Sequence, residues 1–111
     1  MLMHELGITQ NIIDIVSEKA GDKKVIRVKL EIGLLSAIVP DAIRFCFDVC
    51  AEGTPLKGAT LEIEEIGGLG KCNSCGEEMS LSLLAGTCSC GSHDITCIAG
   101  KELKIREMEV V

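Results

Sequence analysis

Cys72-Asn73-Ser74-Cys75-Gly76 and, further along the same segment, Cys88-Ser89-Cys90-Gly91 form two tight cysteine pairs, each followed by a glycine. Thiolates two or three positions apart on a sharp turn can close on one ion. Two such turns facing each other offer four soft ligands near the tetrahedral arrangement that Zn(II) takes. A glycine after each pair suits a knuckle whose backbone must bend through positive φ. Cys72, Cys75, Cys88 and Cys90 are therefore expected to hold a structural zinc in a zinc-ribbon-like module. The Cys88-x-Cys90 gap is one residue shorter than the usual spacing, and His93 or Cys97 stands near enough to replace Cys88 as fourth ligand.

Outward from the cysteines, the chain alternates in hydropathy on both sides. Thr60 to Ile66 sets Leu61 and Ile63 against Glu62 and Glu64, the pattern of a half-buried strand. After the cysteines, Leu103 and Ile105 alternate and then shift phase to Met108 and Val110, which predicts a bulge near Arg106-Glu107. Glycines 67, 68, 70 and 100 flank the cysteine segment as hinges on both sides. Nearer the amino terminus, Ile26, Val28, Leu30 and Ile32 alternate with Arg27, Lys29 and Glu31 from Val25 to Gly33, giving another strand. Residues 6–20 place Ile8, Ile12 and Ile15 or Val16 at helical spacing, with Gly21 as the stop. Pro40 and Asp41 start a second helix that runs to Ala51 and ends before Gly53-Thr54-Pro55.

These elements define an α+β fold: a small three-stranded sheet with two helices, and the zinc-ribbon-like module inserted between the second and third strands. The expected division is 1–66 with 100–111 as one domain and 67–99 as the inserted module. A helix joins the first two strands, so they are expected to run parallel, while the second and third pair antiparallel across the insertion. With only two aromatics, Phe45 and Phe47, among 111 residues, the core must be aliphatic.

Composition narrows the function. A formal charge of −6, with Lys71 set against Glu77, Glu78 and Asp94 in the ribbon, argues against nucleic-acid binding, which rests on clustered Lys and Arg. Seven cysteines is an odd number, and residues 1–20 lack a basic, continuously apolar leader, so reduced thiols and a cytoplasmic location are expected. No stretch approaches the ~20 apolar residues of a membrane span. Cys46 and Cys50, four apart on the second helix beside Ile43, Phe47 and Val49, read as core packing. No serine has His and Asp partners in a recognised catalytic pattern, so an enzyme is not expected.

Met3-His4-Glu5-Leu6 stands just ahead of the first helix. An α-amine, a deprotonated amide and a nearby imidazole can form fused chelate rings that favour Ni(II) or Cu(II). Without such a chelate, His4 is a solvated side chain and Glu5 a carboxylate at the positive end of the helix dipole. The motif is followed by Ile32-Gly33-Leu34-Leu35-Ser36, Val39-Pro40-Asp41-Ala42-Ile43-Arg44-Phe45, Glu52-Gly53-Thr54-Pro55, Gly58-Ala59-Thr60-Leu61-Glu62-Ile63 and the paired cysteines. In that order the chain resembles the HypA family, nickel-insertion accessory proteins for [NiFe]-hydrogenase maturation.

The resemblance implies a metallochaperone that binds one Ni(II) at its amino terminus, keeps a structural zinc in the ribbon, and passes nickel to the hydrogenase large subunit with a HypB-type GTPase. By position, the family's nickel-binding histidine matches His4, its following glutamate Glu5, and its initiating methionine, whose amine joins the chelate, Met3. Here Met1 and Leu2 precede that motif. The resemblance likewise assigns the zinc to Cys72, Cys75, Cys88 and Cys90. A monomer or a dimer is compatible with the pattern. The contrasting function is a zinc-stabilised protein-protein adaptor without nickel.

Overall fold

The structure, a computed structural model, describes residues 2–81 and 86–111, and of Leu2 and Met3 only the backbone. It contains helix α1 (Leu2–Ala20), strand β1 (Val25–Gly33), helix α2 (Pro40–Cys50) and strand β2 (Thr60–Ile66). The short strands β3 (Gly68–Cys72), β4 (Glu78–Leu81) and β5 (Ile95–Ala99) follow, and then β6 (Leu103–Val110). The first helix thus begins earlier than the apolar periodicity suggests, and His4 and Glu5 lie inside its first turns.

One sheet has the order β2-β1-β6. β1 runs parallel to β2, as the α2 crossover requires, and antiparallel to β6. The expected antiparallel pairing of the second and third main strands is replaced by pairing of each with β1. Charge supplies a reason for this order. On the outer face β2 carries Glu62 and Glu64, and β6 carries Glu107 and Glu109; as neighbours they would set carboxylates against carboxylates. β1 between them brings Arg27, which reaches Glu62 at 2.9 Å, Glu107 at 3.2 Å and Glu109 at 3.3 Å, and Lys29, which reaches Glu64 at 3.5 Å.

Two irregularities tune this sheet. Lys29 pairs with Glu107 and Leu30 with Ile105, so Arg106 is the extra residue of a bulge where the phase shift predicts one. A second register shift, between Val25 and Arg27, makes Ile26 the extra residue of β1. Ile26 is consequently exposed, while Val25 joins Val28, Leu30 and Ile32 in the core. Simple alternation had placed Ile26 inside; the bulge inverts its face.

The helices lie side by side on the inner face. Ile12, Ile13, Val16 and Ala20 of α1 and Ile43 and Phe47 of α2 close the core over β1, with Leu56 and Ala51 at one end. The buried stripe of α1 also contains Glu5 and Thr9, whereas Ile15 is 45% exposed, so the stripe is rotated from the one the isoleucines suggest. Phe45 faces outward. At α2 the chain enters through extended Val39, and Pro40 at the first turn needs no donor of its own.

A second sheet, of order β4-β3-β5, carries the cysteine knuckles. The sheets meet where the Gly33 amide donates to Glu102 O and the Leu35 amide to Gly100 O, both at 2.7 Å. A side chain on Gly33 would strike the Gly100 carbonyl, and one on Gly100 would lie 2.6 Å from Gly68 Cα. These glycines permit close backbone approach, with Leu35 packed over them, so the junction is tighter than a free hinge. Among the described residues, none of the ribbon belongs to the main core cluster, and the molecule extends 54 × 27 × 17 Å.

Candidate metal centres

Both knuckles are built by backbone turns of different size. In the first, the Gly76 amide bonds Cys72 O at 2.8 Å, closing five residues. In the second, the Gly91 amide bonds Cys88 O at 2.8 Å, closing four. The tighter turn absorbs the shortened Cys88-x-Cys90 gap without moving its sulfurs out of reach. Gly76 and Gly91 have φ of 80° and 93°, the left-handed region such turns need. Side chains then stitch the knuckles together: Ser74 Oγ donates to Ser92 Oγ at 2.9 Å, Ser89 Oγ to Glu77 Oε2 at 3.1 Å, and Asn73 Nδ2 to Asp94 Oδ1 at 3.0 Å.

The four sulfurs of Cys72, Cys75, Cys88 and Cys90 lie within 4.8 Å of one another. Cys72 Sγ is 3.7 Å from Cys90 Sγ, and Cys75 Sγ is 3.5 Å from Cys88 Sγ. Zn–S bonds of ~2.3 Å in a tetrahedron separate sulfurs by ~3.8 Å, so the cluster fits a zinc ion. Cys72 and Cys88 are buried, Cys75 and Cys90 exposed, which leaves one side of the cluster facing water.

Electrostatics make the same point. The amide of Cys75, helped by that of Ser74, lowers the Cys72 thiol to about 6 against a desolvation that opposes it. For Cys75 the Glu77 amide also favours the thiolate, but the crowding Cys88 and Cys72 sulfurs prevail and push it up to about 12. Cys90 is raised as well: the Ser92 amide lowers it, and Cys88 and Cys72 outweigh that amide. Cys72 thus favours the thiolate while Cys75 and Cys90 are held toward the thiol by their sulfur neighbours, a conflict that a cation between the sulfurs would relieve.

His93 lies outside this cluster, its Nδ1 2.9 Å from Thr87 Oγ1, and Cys97 turns its Sγ toward Ala99 O at 3.2 Å. The structure therefore groups Cys88, rather than either alternative, with the other three. Cys46 is buried in the core, and burial raises the thiol of half-buried Cys50.

At the amino terminus the side chain of His4 is exposed, while that of Glu5 is buried. Neighbouring helical residues point in different directions, and here one faces water and the other the gap between α1 and α2. Glu5 Oε2 accepts the Val39 amide at 3.1 Å, while Oε1 has no partner among the described residues. The Val39 bond holds the Glu5 carboxyl below its ordinary value against the opposing effect of burial. Thr9 Oγ1 donates to Glu5 O at 2.7 Å. Sequence periodicity missed this buried polar pair, although two polar residues four apart in register with Ile12, Ile13 and Val16 were its one available signal. The Met1 amine and the Met3 side chain lie outside the described residues.

Helices on one face of a mixed sheet, a four-cysteine cluster and a histidine on the first helical turn describe a small metal-handling protein. A family model described as "Hydrogenase/urease nickel incorporation, metallochaperone, hypA" matches residues 3–110. The hydrogenase maturation factor HypA of Nostoc sp. strain PCC 7120 is 61% identical over 108 residues, covering 97% of this chain and 96% of its own. Its counterpart in Geobacter metallireducens is 45% identical over 109 residues, covering 97% and 99%. A solution structure titled as HypA protein superposes with a TM-score of 0.75 at 25% identity, over 98% of this chain and 97% of the other. That of the Ni metallochaperone HypA from Helicobacter pylori has the same fold, with a TM-score of 0.68 at 22% identity over 96% and 97%. The chain belongs to the HypA family of nickel-incorporation metallochaperones. The four-cysteine cluster is consistent with zinc, and no helix among the described residues is long and apolar enough to cross a membrane.

Proposed function

We propose that this chain binds Ni(II) at its amino terminus and delivers it, in the cytoplasm, to the [NiFe]-hydrogenase large subunit with a HypB-type GTPase. Zinc held by Cys72, Cys75, Cys88 and Cys90 serves structure and does not take part in a reaction. The reading rests on the exposed His4 beside the fixed, half-satisfied carboxyl of Glu5 at the start of α1. Amides in the first turn of a helix have no intrahelical acceptor, so the amide nitrogen next to His4 is free for a metal. His4 supplies the imidazole. In a chain that starts at Met3 the α-amine of that residue joins them, and Glu5, next in sequence but turned into the gap between α1 and α2, anchors this first turn through the Val39 amide. Nitrogen and oxygen ligands in an open site release their ion more readily than a closed Cys₄ cage, as a cargo site requires.

Calorimetric titration with Ni(II) tests this reading. One Ni(II) should bind per chain, His4→Ala should abolish that binding while zinc content stays unchanged, and a chain starting at Met3 should bind more tightly than one starting at Met1. Unchanged nickel binding in His4→Ala removes the site as drawn. Equal affinities for the two starts remove the amine from the ligand set.

A further inference from the structure

Cys46 and Cys50 lie four residues apart on α2 and take no part in either metal centre. Cys46 is 1% exposed, whereas Cys50 is half-buried and packs at the edge of the core. Residues four apart on a helix are neighbours on one face, so the two thiols stand one above the other. That face turns toward α1. The Glu5–Val39 bond joins the starts of the two helices, and further along both of them the charge of Asp14 on α1 acts on Cys50. Ser17 follows one turn after Asp14 on α1, and its hydroxyl is buried without a partner among the described residues.

Helical spacing decides what such a pair can do. Cβ atoms four residues apart are separated by ~5–6 Å and a disulfide needs ~3.5–4.5 Å, so these thiols do not oxidise to each other while α2 is intact. One metal ion between them is a different case. Two metal–sulfur bonds of ~2.3 Å laid end to end span about 4.6 Å, which side chains at this spacing can bridge. The number of ligands then selects the ion. Among the described residues, the one group of three or more metal-ligating side chains within 4.8 Å is that of Cys72, Cys75, Cys88 and Cys90, so the seam between α1 and α2 provides two sulfurs and no third close ligand. Zn(II) and Ni(II) ask for four or more donors, while Cu(I), a soft ion that thiolates select, is satisfied by two. Burial raises the Cys50 thiol, with Cys46 and Asp14 adding to the effect, so without a metal Cys50 stays protonated and unreactive.

We propose that Cys46 and Cys50 form a two-sulfur site for Cu(I) at the seam of α1 and α2. The ion enters past half-buried Cys50, forms one bond to each sulfur and displaces both S–H protons to solvent, which leaves a linear unit with one negative charge. The Ser17 hydroxyl, which has no partner among the described residues, is a donor at this seam for that surplus charge. The site differs in ligand class from the amino-terminal nitrogen donors and in ligand number from the zinc cluster, so the three ions do not compete for one place.

Titration of the zinc-loaded full chain, without oxygen, against the coloured Cu(I)–bicinchoninate complex tests this. One Cu(I) should leave the dye per chain while zinc stays bound, and X-ray absorption at the copper edge should show two sulfur neighbours. Cys50→Ser should weaken uptake by more than the roughly 10–100-fold that loss of an outer-shell partner costs, with an unchanged circular dichroism spectrum. Cys97→Ser, which alters a half-buried thiol elsewhere, should take up copper as the original chain does. Copper bound in exchange for zinc would place it in the ribbon and overturn the inference. So would three or four sulfur neighbours, undiminished uptake in Cys50→Ser, or no uptake at all.

Discussion

Glu5 and Val39, thirty-four residues apart, are joined by one hydrogen bond of 3.1 Å that ties the first turn of α1 to the residue leading into α2. The carboxylate accepts the amide of the residue that Pro40 follows, so it sets where the second helix begins. Glu5 follows His4 in the first turns of α1, so the start of that helix is tied to the seating of α2.

Glu5→Gln should keep the shape but weaken this bond, because a charged acceptor is stronger than a neutral one. Since the folded-state pKa of Glu5 is depressed, its contribution is present above the unfolded value and lost as pH falls through the lower folded one. Stability should therefore decline below the ordinary carboxylate value of 4.5, and that part of the decline should vanish in Glu5→Gln. Urea titrations at several acidic pH values check this; an identical acid limb in both proteins contradicts it.

For the cysteine cluster, Ser at position 72, 75, 88 or 90 should release zinc, while His93→Ala and Cys97→Ser should retain it. Zinc binding near pH 7 should also expel at least two protons, since Cys75 and Cys90 both have raised values and must ionise to coordinate. Calorimetry in buffers of different ionisation enthalpy counts them. Affinity that does not change with pH, or zinc lost from His93→Ala, points to another ligand set.

Gly100 has φ of 107° and no room toward Gly68, so Gly100→Ala should cost ~1–3 kcal/mol. Gly7 offers the opposite case: it lies on exposed helix with nothing within 4 Å of a new methyl group, and Gly7→Ala should add ~0.5–1 kcal/mol. Thermal unfolding of the two variants, with metal content held equal, gives both signs. Similar shifts for both would show that the junction tolerates a side chain.

Among the described residues, Arg27 is the cation that reaches Glu62, Glu107 and Glu109. Hydrogen bonds to Glu109, then Glu107, raise its pKa, and its loss leaves acids on both flanks of β1 unopposed. Arg27→Leu should lower the unfolding midpoint, more at low than at high salt, because added ions screen the carboxylates left behind. A midpoint difference that is constant from low to high salt would assign Arg27 a packing role instead.

Much of this was readable from local pattern. β1, α2 and β2 begin and end where alternation, Pro40 and glycines indicate, and the bulge at Arg106 follows from a phase change within six residues. The cysteine knuckles were legible because spacing and a following glycine encode a turn. Strand order was not, since it depends on charges brought together from Arg27, Glu62 and Glu107, far apart in sequence. The bulge that turns Ile26 outward was equally hidden, for it has no local breaker. The burial of Glu5 depends on an amide supplied by Val39, which helical periodicity alone cannot register.

The contact between Gly68 and Gly100 has a further consequence. The chain departs for the cysteine segment and comes back at nearly one point, so to the main sheet that segment is a lariat whose root is already tied. Loop-closure entropy changes slowly with the length of such a loop. Whatever is threaded between the two glycines can be lengthened, shortened or exchanged at small cost to β1, β2 and β6, which makes this junction a natural grafting point for other metal-binding loops.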